Sequence, residues 1–562
     1  MLYSMKVCPP LWRAGLRQNF RIFQNEDIES ILGTLLKENG VTEWSPLFSE
    51  PHPSREFCVQ YGETDYEFLC RMAAEEGIFF YEEHAQKSTD QSLVLCDTVR
   101  YLPDAFEIPW NPNTRTEVST RCISQFRYSA QIRPSQTIVK DYTFKRPGWA
   151  GRFDQDGENM DYQRTQYEVY DYPGRFKNAH GKNFARWQMD GWRNNAEVAR
   201  GASRSPEIWP GRRFTLTEHP QASLNREWQV VTSELHGEQP QAIPGRGGSG
   251  TTLNNHFAVI PADRTWRPQP QPKPLVDGPQ SAVVTGPAGE EIFCDEHGRV
   301  RVKFNWDRYN PSDQDSSCWI RVAQAWAGTG FGNLAIPRVG QEVIVDFLNG
   351  DPDQPIIMGR TYHEDNRSPG SLPGTKTQMT IRSKTYMGSG FNELKFDDAT
   401  GKEQVYIHAQ KNMDTEVLND QTVTVRRDRT KSITRNETNM IDGYELTRIK
   451  IRQDVAVKGP ATFISGNNRT EQATGIYLIG AGDCIRLECG LSALELFASG
   501  AIRLAGETFN IAARGDGVIT TQGKLGLNPS SPGEPATPPG KDYKKELTTL
   551  VSQLFPEKDK SS

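Results

Sequence analysis

No stretch of this 562-residue chain is apolar for long enough to span a bilayer as a helix. Positive charge is not in excess either. The formal net charge is −6, which removes any general electrostatic attraction to nucleic acid or to an anionic membrane. Histidine is scarce, with nine residues and none beyond His408, so the C-terminal part of the chain offers no imidazole to a metal. The nine cysteines (Cys8, Cys58, Cys70, Cys96, Cys122, Cys294, Cys318, Cys484 and Cys489) are odd in number and never stand as Cys-x-x-Cys. That pattern points to free thiols in a reducing compartment rather than a disulfide scaffold. Gly-x-Ser-x-Gly and His-Glu-x-x-His are both missing, which removes the serine hydrolases and zincins that depend on them. Gly517 to Gly523-Lys524 imitates a phosphate loop, but five residues separate its glycines and Leu525 follows the lysine. Residues 1–21 show no basic-then-apolar leader, so any export is expected to use a route that ignores such signals.

What is present is a period. Val417, Val425, Ile433, Ile441, Ile449 and Val457 stand eight residues apart, separated by mostly polar residues such as Asp420, Arg426, Arg427, Asp428, Arg435 and Asn436. Eight is not a helical spacing, and a lone strand does not stop and restart at that interval. The pattern predicts a stack of short extended segments, each giving one apolar side chain to a shared axis, with Val423 and Val455 as second positions two residues earlier. One buried Val or Ile contributes roughly 1.5–3 kcal/mol, while ordering eight residues costs about 1–2 kcal/mol each. An octad therefore needs neighbours. Three octads could make one turn of a single-chain β-helix, or three chains could each supply one side of an intertwined prism. The polar content favours the prism, because a narrow shared axis needs only one residue per octad. A Thr- and charge-rich disordered tract would not keep the spacing over six units.

With 36% hydrophobic residues, 48 Gly and 36 Pro, the composition fits strands and turns better than helices. Two helices are nevertheless expected near the start. One covers 25–40, with Asn25 as cap and Ile28, Ile31, Leu32, Leu35 and Leu36 on one face; the other follows the Thr64-x-x-Glu67 capping box. Strands and turns, with short amphipathic pieces around 182–200, fill a first region over 1–250. A Gly/Pro linker is expected over 251–274. Residues 275–362 alternate as Val300, Val302, Phe304 and Val343, Val345, Phe347, which predicts a small closed barrel of the oligonucleotide/oligosaccharide-binding (OB) type. In that barrel Arg299, Arg301 and Lys303 beside Phe304 and Trp306 would suit a nucleic-acid platform. However, 14 acidic against 7 basic residues over 275–365 argue for a structural neck. Asp295, Arg299 and Asp307 are candidates for pairing between chains. A stacked-strand region is expected over 375–528, where apolar doublets (Ile485/Leu487, Leu494/Leu496, Ile502/Leu504, Phe509/Ile511, Leu525/Leu527) continue the theme. A Pro-rich linker and short tail close the chain over 529–562. Within the tail Leu547, Leu550, Val551 and Leu554 share a helical face, a candidate cargo-binding surface.

Several long strings carry a resemblance. "FRIFQNEDIESIL", "REFCVQYGETDYEFLCRMAAEEGIFFYEEH", "DEHGRVRVKFNWDR", "WIRVAQAWAGTGFGNLAIPRVGQEVIVDFLNGDPDQPIIMGR" and "NELKFDDATGKEQVYIHAQKNM" closely resemble the VgrG family of type VI secretion spike proteins, up to about residue 528. The resemblance implies a mainly β protein: a phage-hub-like region, an OB neck and an intertwined trimeric β-helix needle. It implies a non-enzymatic homotrimer that sits on the Hcp tube, meets baseplate components, is capped by a PAAR-type tip protein and carries an effector or adaptor. Such a spike is cytoplasmic before firing, then leaves through the machine and touches a target membrane in passing. No cofactor, metal or nucleic acid is implied. Family members usually begin with further strands before the "FRIFQN" segment, so the hub is expected to be N-terminally short. A contractile phage-like tail spike is the alternative within the same class. Some phage spikes carry a lysozyme between barrel and needle. Here about twenty residues separate Gly359 from Met379, too few for an enzyme core.

Overall fold

The computed structural model describes residues 3–84, 89–113, 121–242, 250–523, 525, 526 and 549. Backbone contacts divide the chain into two units, 1–419 and 420–562.

In the first unit, helix α1 (Ile28–Glu38) buries Ile28, Ile31, Leu32, Leu35 and Leu36, the face its periodicity predicts. Its cap is Asp27, which accepts the Ser30 N–H at 2.9 Å. Asn25 is not the cap. It takes φ 54° and turns the chain into the helix. Helix α2 (Asp65–Glu75) starts on the expected capping box, with Thr64 and Glu67 satisfying each other's backbone N–H. The two helices share one core with Leu11, Phe23, Leu93 and Leu95. A third helix, α3 (Gly181–Trp192), stands where only short amphipathic pieces are expected, and Phe184, Trp187 and Met189 are buried. A six-stranded sheet running from Phe106–Pro109 at one edge to Ile123–Ala130 at the other wraps a core of Phe214, Trp228 and Phe257.

Strands β1 (Gln18–Phe23) and β2 (Cys58–Thr64) pair antiparallel. They pack directly on the next module, a five-stranded sheet of β3 (Gln280–Thr285), β4 (Arg301–Phe304), β5 (Arg321–Val322), β6 (Glu342–Phe347) and β7 (Pro355–Thr361). Its order is β4-β3-β6-β7-β5, and a bridge between Val300 and Ile320 joins the two outer strands. The sheet is thereby a closed barrel of the expected OB type. Inward-facing Val302, Phe304, Val343, Val345 and Phe347 share a core with Ile22, Phe57 and Val59, so one apolar core runs from the first region into the barrel.

Buried charges reinforce that seam. Lys273 Nζ lies 3.1 Å from Asp351 and 2.6 Å from Asp353, and Asp353 also accepts the Val59 N–H at 2.7 Å. Burial alone would lower the Lys273 pKa, but Asp353, Glu75 and Asp351 raise it. Glu75 accepts from Arg55 at 2.8 Å and Arg175 at 3.0 Å. Burial would raise its pKa, yet Arg55, Arg175, Lys273 and Arg71 hold it well below the usual carboxylate range.

His52 lies 3.0 Å from Glu76 and 3.7 Å from Asp97 and stacks on Trp187 at 5.2 Å. Burial would lower its pKa, but the nearby carboxylates of Asp97 and Glu76 raise it to about 9 from 6.5. A raised folded-state value stabilises fully below the unfolded value and is lost as pH rises through the folded one. Thermal melts are therefore expected to show stability declining between pH 6.5 and about 9. A His52→Gln variant should lack that decline; an equal decline in the variant would remove His52 as its source.

Candidate functional site

Side chains of the OB barrel that could stack or grip a nucleic acid are engaged within the chain. Arg299 pairs with Asp295 at 2.6 Å, Arg301 lies over Trp319 at 4.8 Å, and Lys303 pairs with Asp307 at 3.2 Å. Phe304 is in the core, and Trp306 packs on it at 5.1 Å. Within the chain, Arg299 thus pairs with Asp295 and Asp307 with Lys303. Among the described residues, no group of three or more His, Cys, Asp or Glu is placed to hold a metal, and no helix is long and apolar enough to cross a membrane.

The octads have a different character. From residue 410 the backbone bends at paired positions every eight residues, at 410–411, 418–419, 426–427 and onward to 482–483. Val417, Val425, Ile433, Ile441, Ile449 and Val457 each stand immediately before a bend. Their exposure is uniform at 45–55%, whereas Ile451, within a bend, and Leu478, between bends, reach 97% and 87%. Among the described residues no strand pairing lies between His408 and Cys484, and every side chain of 410–483 is exposed except half-buried Ile464. A single-chain β-helix would bury its axis residues and pair each coil with the next. This stretch does neither. Among the described residues it has no backbone ladder of its own, whereas backbone N–H and C=O groups in folded proteins are paired.

Side chains tie the bends from outside. Lys431 pairs with Glu437 and Tyr477 donates to Glu471, while Arg469 lies 5.1 Å over the Phe463 ring. All three pairs join the residue two before an axis position to the residue four after it.

Two three-stranded antiparallel sheets stand before and after the octads along the chain. The first comprises β8 (Gln378–Arg382), β9 (Glu393–Asp397) and β10 (Gln404–His408). Its cross-strand rows Met379–Phe396–Val405 and Ile381–Leu394–Ile407 lie on one face. The opposite face is polar, with Gln378 bonded to Asp397 at 2.8 Å and Arg382 to Glu393 at 2.7 Å. The loop leaving β8 is fixed to the barrel by Lys384 to Glu291 at 2.7 Å and Tyr386 to Glu290 at 2.9 Å. The second sheet comprises β11 (Cys484–Cys489), β12 (Ser492–Phe497) and β13 (Ile502–Ala505). Its apolar rows are Ile485–Leu496–Ile502 and Leu487–Leu494–Leu504, and Arg486–Glu495–Arg503 runs across the other face.

Three families match in this order along the chain: the phage tail baseplate hub over 1–241, the type VI secretion/phage-baseplate injector OB domain over 293–362, and the bacteriophage T4 gp5 C-terminal trimerisation domain over 379–485. The type VI secretion system spike protein VgrG1a of Pseudomonas aeruginosa is 36% identical over 563 residues, covering 99% of this chain and 86% of that protein. This chain belongs to the VgrG family. The actin cross-linking toxin VgrG1 of Vibrio cholerae is 44% identical over 451 residues, covering 80% of this chain but 41% of the toxin. The chain thus spans about two fifths of that relative's length. A solved component of the Escherichia coli type VI secretion system aligns with 63% of this chain and 76% of its own, at 18% identity and a TM-score of 0.44.

In this VgrG chain the bends continue past the last predicted axis residue, putting Ser465, Ala473 and Ala481 at the same position. Sequence reading misses them because they are small rather than apolar. The available signal is glycine, which stands in every bend from 458–459 to 482–483 as Gly459, Gly466, Gly475 and Gly482. The doublets Ile485/Leu487, Leu494/Leu496 and Ile502/Leu504 lie side by side in a sheet instead of stacking as octads. Phe509 and Ile511 are exposed and outside any strand. Leu527, Leu547, Leu550, Val551 and Leu554 lie outside the described residues.

Proposed function

We propose that this chain is a non-enzymatic homotrimeric spike of a type VI secretion machine. The observation that carries the reading is the octad tract: 74 residues, 410–483, that bend regularly yet have neither a core nor a ladder of their own. Three copies wound together give each axis residue two partners and each backbone group a neighbouring strand. Val417, Val425, Ile433, Ile441, Ile449 and Val457 then line the axis, and the barrel joins a wide hub to a narrow needle. Mechanical stiffness and assembly, not chemistry at a site, are the mechanism. The hub sits on the Hcp tube among baseplate components, a PAAR-type protein caps the tip, and an effector or adaptor docks through Leu547, Leu550, Val551 and Leu554. Firing carries the spike from the cytoplasm through a target envelope.

Light scattering on a sizing column tests the assembly. The expected mass is three chains of 63.4 kDa, and a mass of one chain overturns the trimer. On the same column, Leu550→Asp with Leu554→Asp should keep that mass and lose a co-eluting passenger. A passenger retained by this variant removes the tail as its docking site.

A further inference from the structure

The octads create a problem of alignment. The six axis residues from Val417 to Val457 are all valine or isoleucine at identical spacing, so over those octads a copy displaced by one octad still sets β-branched residues against β-branched residues. Repeats of this kind specify association without specifying register. Something beyond those six octads must break the degeneracy.

We infer that the sheet β11–β13 is a second inter-copy clasp, whose apolar face is covered by two further copies of this chain and which fixes the register of the needle. The inference rests on the trimeric reading above. Three observations carry it. First, β11–β13 repeats the design of β8–β10: three antiparallel strands, two apolar cross-strand rows on one face and a charged row on the other. The trimerisation-domain match covers β8–β10 from Met379 and stops at residue 485, the second residue of β11. Nothing in that match assigns β11–β13. Second, the apolar face is uncovered within its own chain. Leu487, Ile502 and Leu504 are more than half exposed, and a concavity formed by Leu487, Leu494, Leu504 and Phe509 opens beside them. Third, the sheet is continuous with octad backbone on both sides. Bends precede it at 482–483 and resume at 514–515 and 522–523, so a shared axis enters and leaves it. The sheet strands do not repeat at eight, unlike the octads, and the sheet polar rows are specific in charge. Only one alignment of three copies covers every apolar row.

Register can be read directly. Ser465 occupies an axis position before the bend at 466–467. In an aligned trimer, Ser465→Cys brings thiols of different copies together, and mild oxidation should link them; a one-octad slip sets each against Val457 or Ala473 instead. The expected result is efficient interchain linkage by Ser465→Cys in the full chain, reduced several-fold when Leu494→Asp and Leu504→Asp are added. The milder pair Leu494→Ala and Leu504→Ala should lower it less, and Glu495→Gln, on the polar face, should leave it unchanged. Retention of the three-chain mass with lost linkage supports the clasp, and collapse to single chains shows the face to be an interface. A three-chain protein with undiminished linkage overturns the clasp, as does equal loss with Glu495→Gln. So does a three-chain Ser465→Cys protein that forms no link. A wild-type mass of one chain overturns the trimeric reading itself.

Discussion

Replacing Ile433 and Ile441 together with aspartate is expected to take the needle apart. Both residues stand before bends and share the narrow exposure range of the axis set. Each substitution forfeits roughly 1.5–3 kcal/mol of apolar burial in every copy. It also drives carboxylates of three copies toward one axis, where unpaired buried charge costs several kcal/mol per ion. No cation lies among the six axis residues to offset it. The wild type should migrate as a trimer in SDS without heating, and the double variant should run as single chains. Ile433→Val with Ile441→Val, which keeps the branched shape, should run as wild type. A double aspartate variant that remains an SDS-resistant trimer would remove these residues from the axis.

The second large effect belongs to the seam between hub and barrel. Lys273→Met leaves buried Asp351 and half-buried Asp353 without the ammonium that lies 3.1 and 2.6 Å away. Removing one partner from such a buried cluster costs about 3–5 kcal/mol. Asp353 also holds the Val59 N–H, so the loss reaches β2 and the shared core. The urea midpoint of the hub–barrel transition should fall sharply, followed by near-ultraviolet dichroism from Trp306 and Tyr61 in the shared core. Lys384→Met provides the contrast, because its partner Glu291 sits in an exposed pair, and solvent screening leaves such pairs contributing little. Equal, small losses in both variants would show that the buried lysine is not holding the seam.

These two sites differ in how far the sequence discloses them. The octads are legible because their period is covalent: spacing along the chain is spacing along the needle. The barrel strands are legible for a related reason, since alternation at Val343, Val345 and Phe347 maps onto one face of a strand. Lys273 is not legible. Flanked by Pro272 and Pro274, it reads as part of a solvated spacer, and only the fold brings Asp351 and Asp353 to it. The Asp27 cap is missed because Asn25 is an equally good capping residue by type, and a left-handed turn at Asn25 moves the helix start. The sheet β11–β13 is mistaken for further octads because its doublets step by seven to nine residues, close to eight, whereas its antiparallel pairing is a long-range choice.

The ties across the bends carry a consequence for how such a needle changes over generations. A salt bridge, a cation over a ring and a phenol on a carboxylate all occupy the same pair of positions relative to the axis residue. The repeat therefore prescribes where a tie is made but leaves its chemistry open. A whole octad can be gained or lost without altering the geometry of any other corner, and a gain or loss of fewer residues misplaces every corner beyond it. Needle length is in that sense quantised, growing or shrinking in steps of eight residues while the chemistry of the tie within each step stays open.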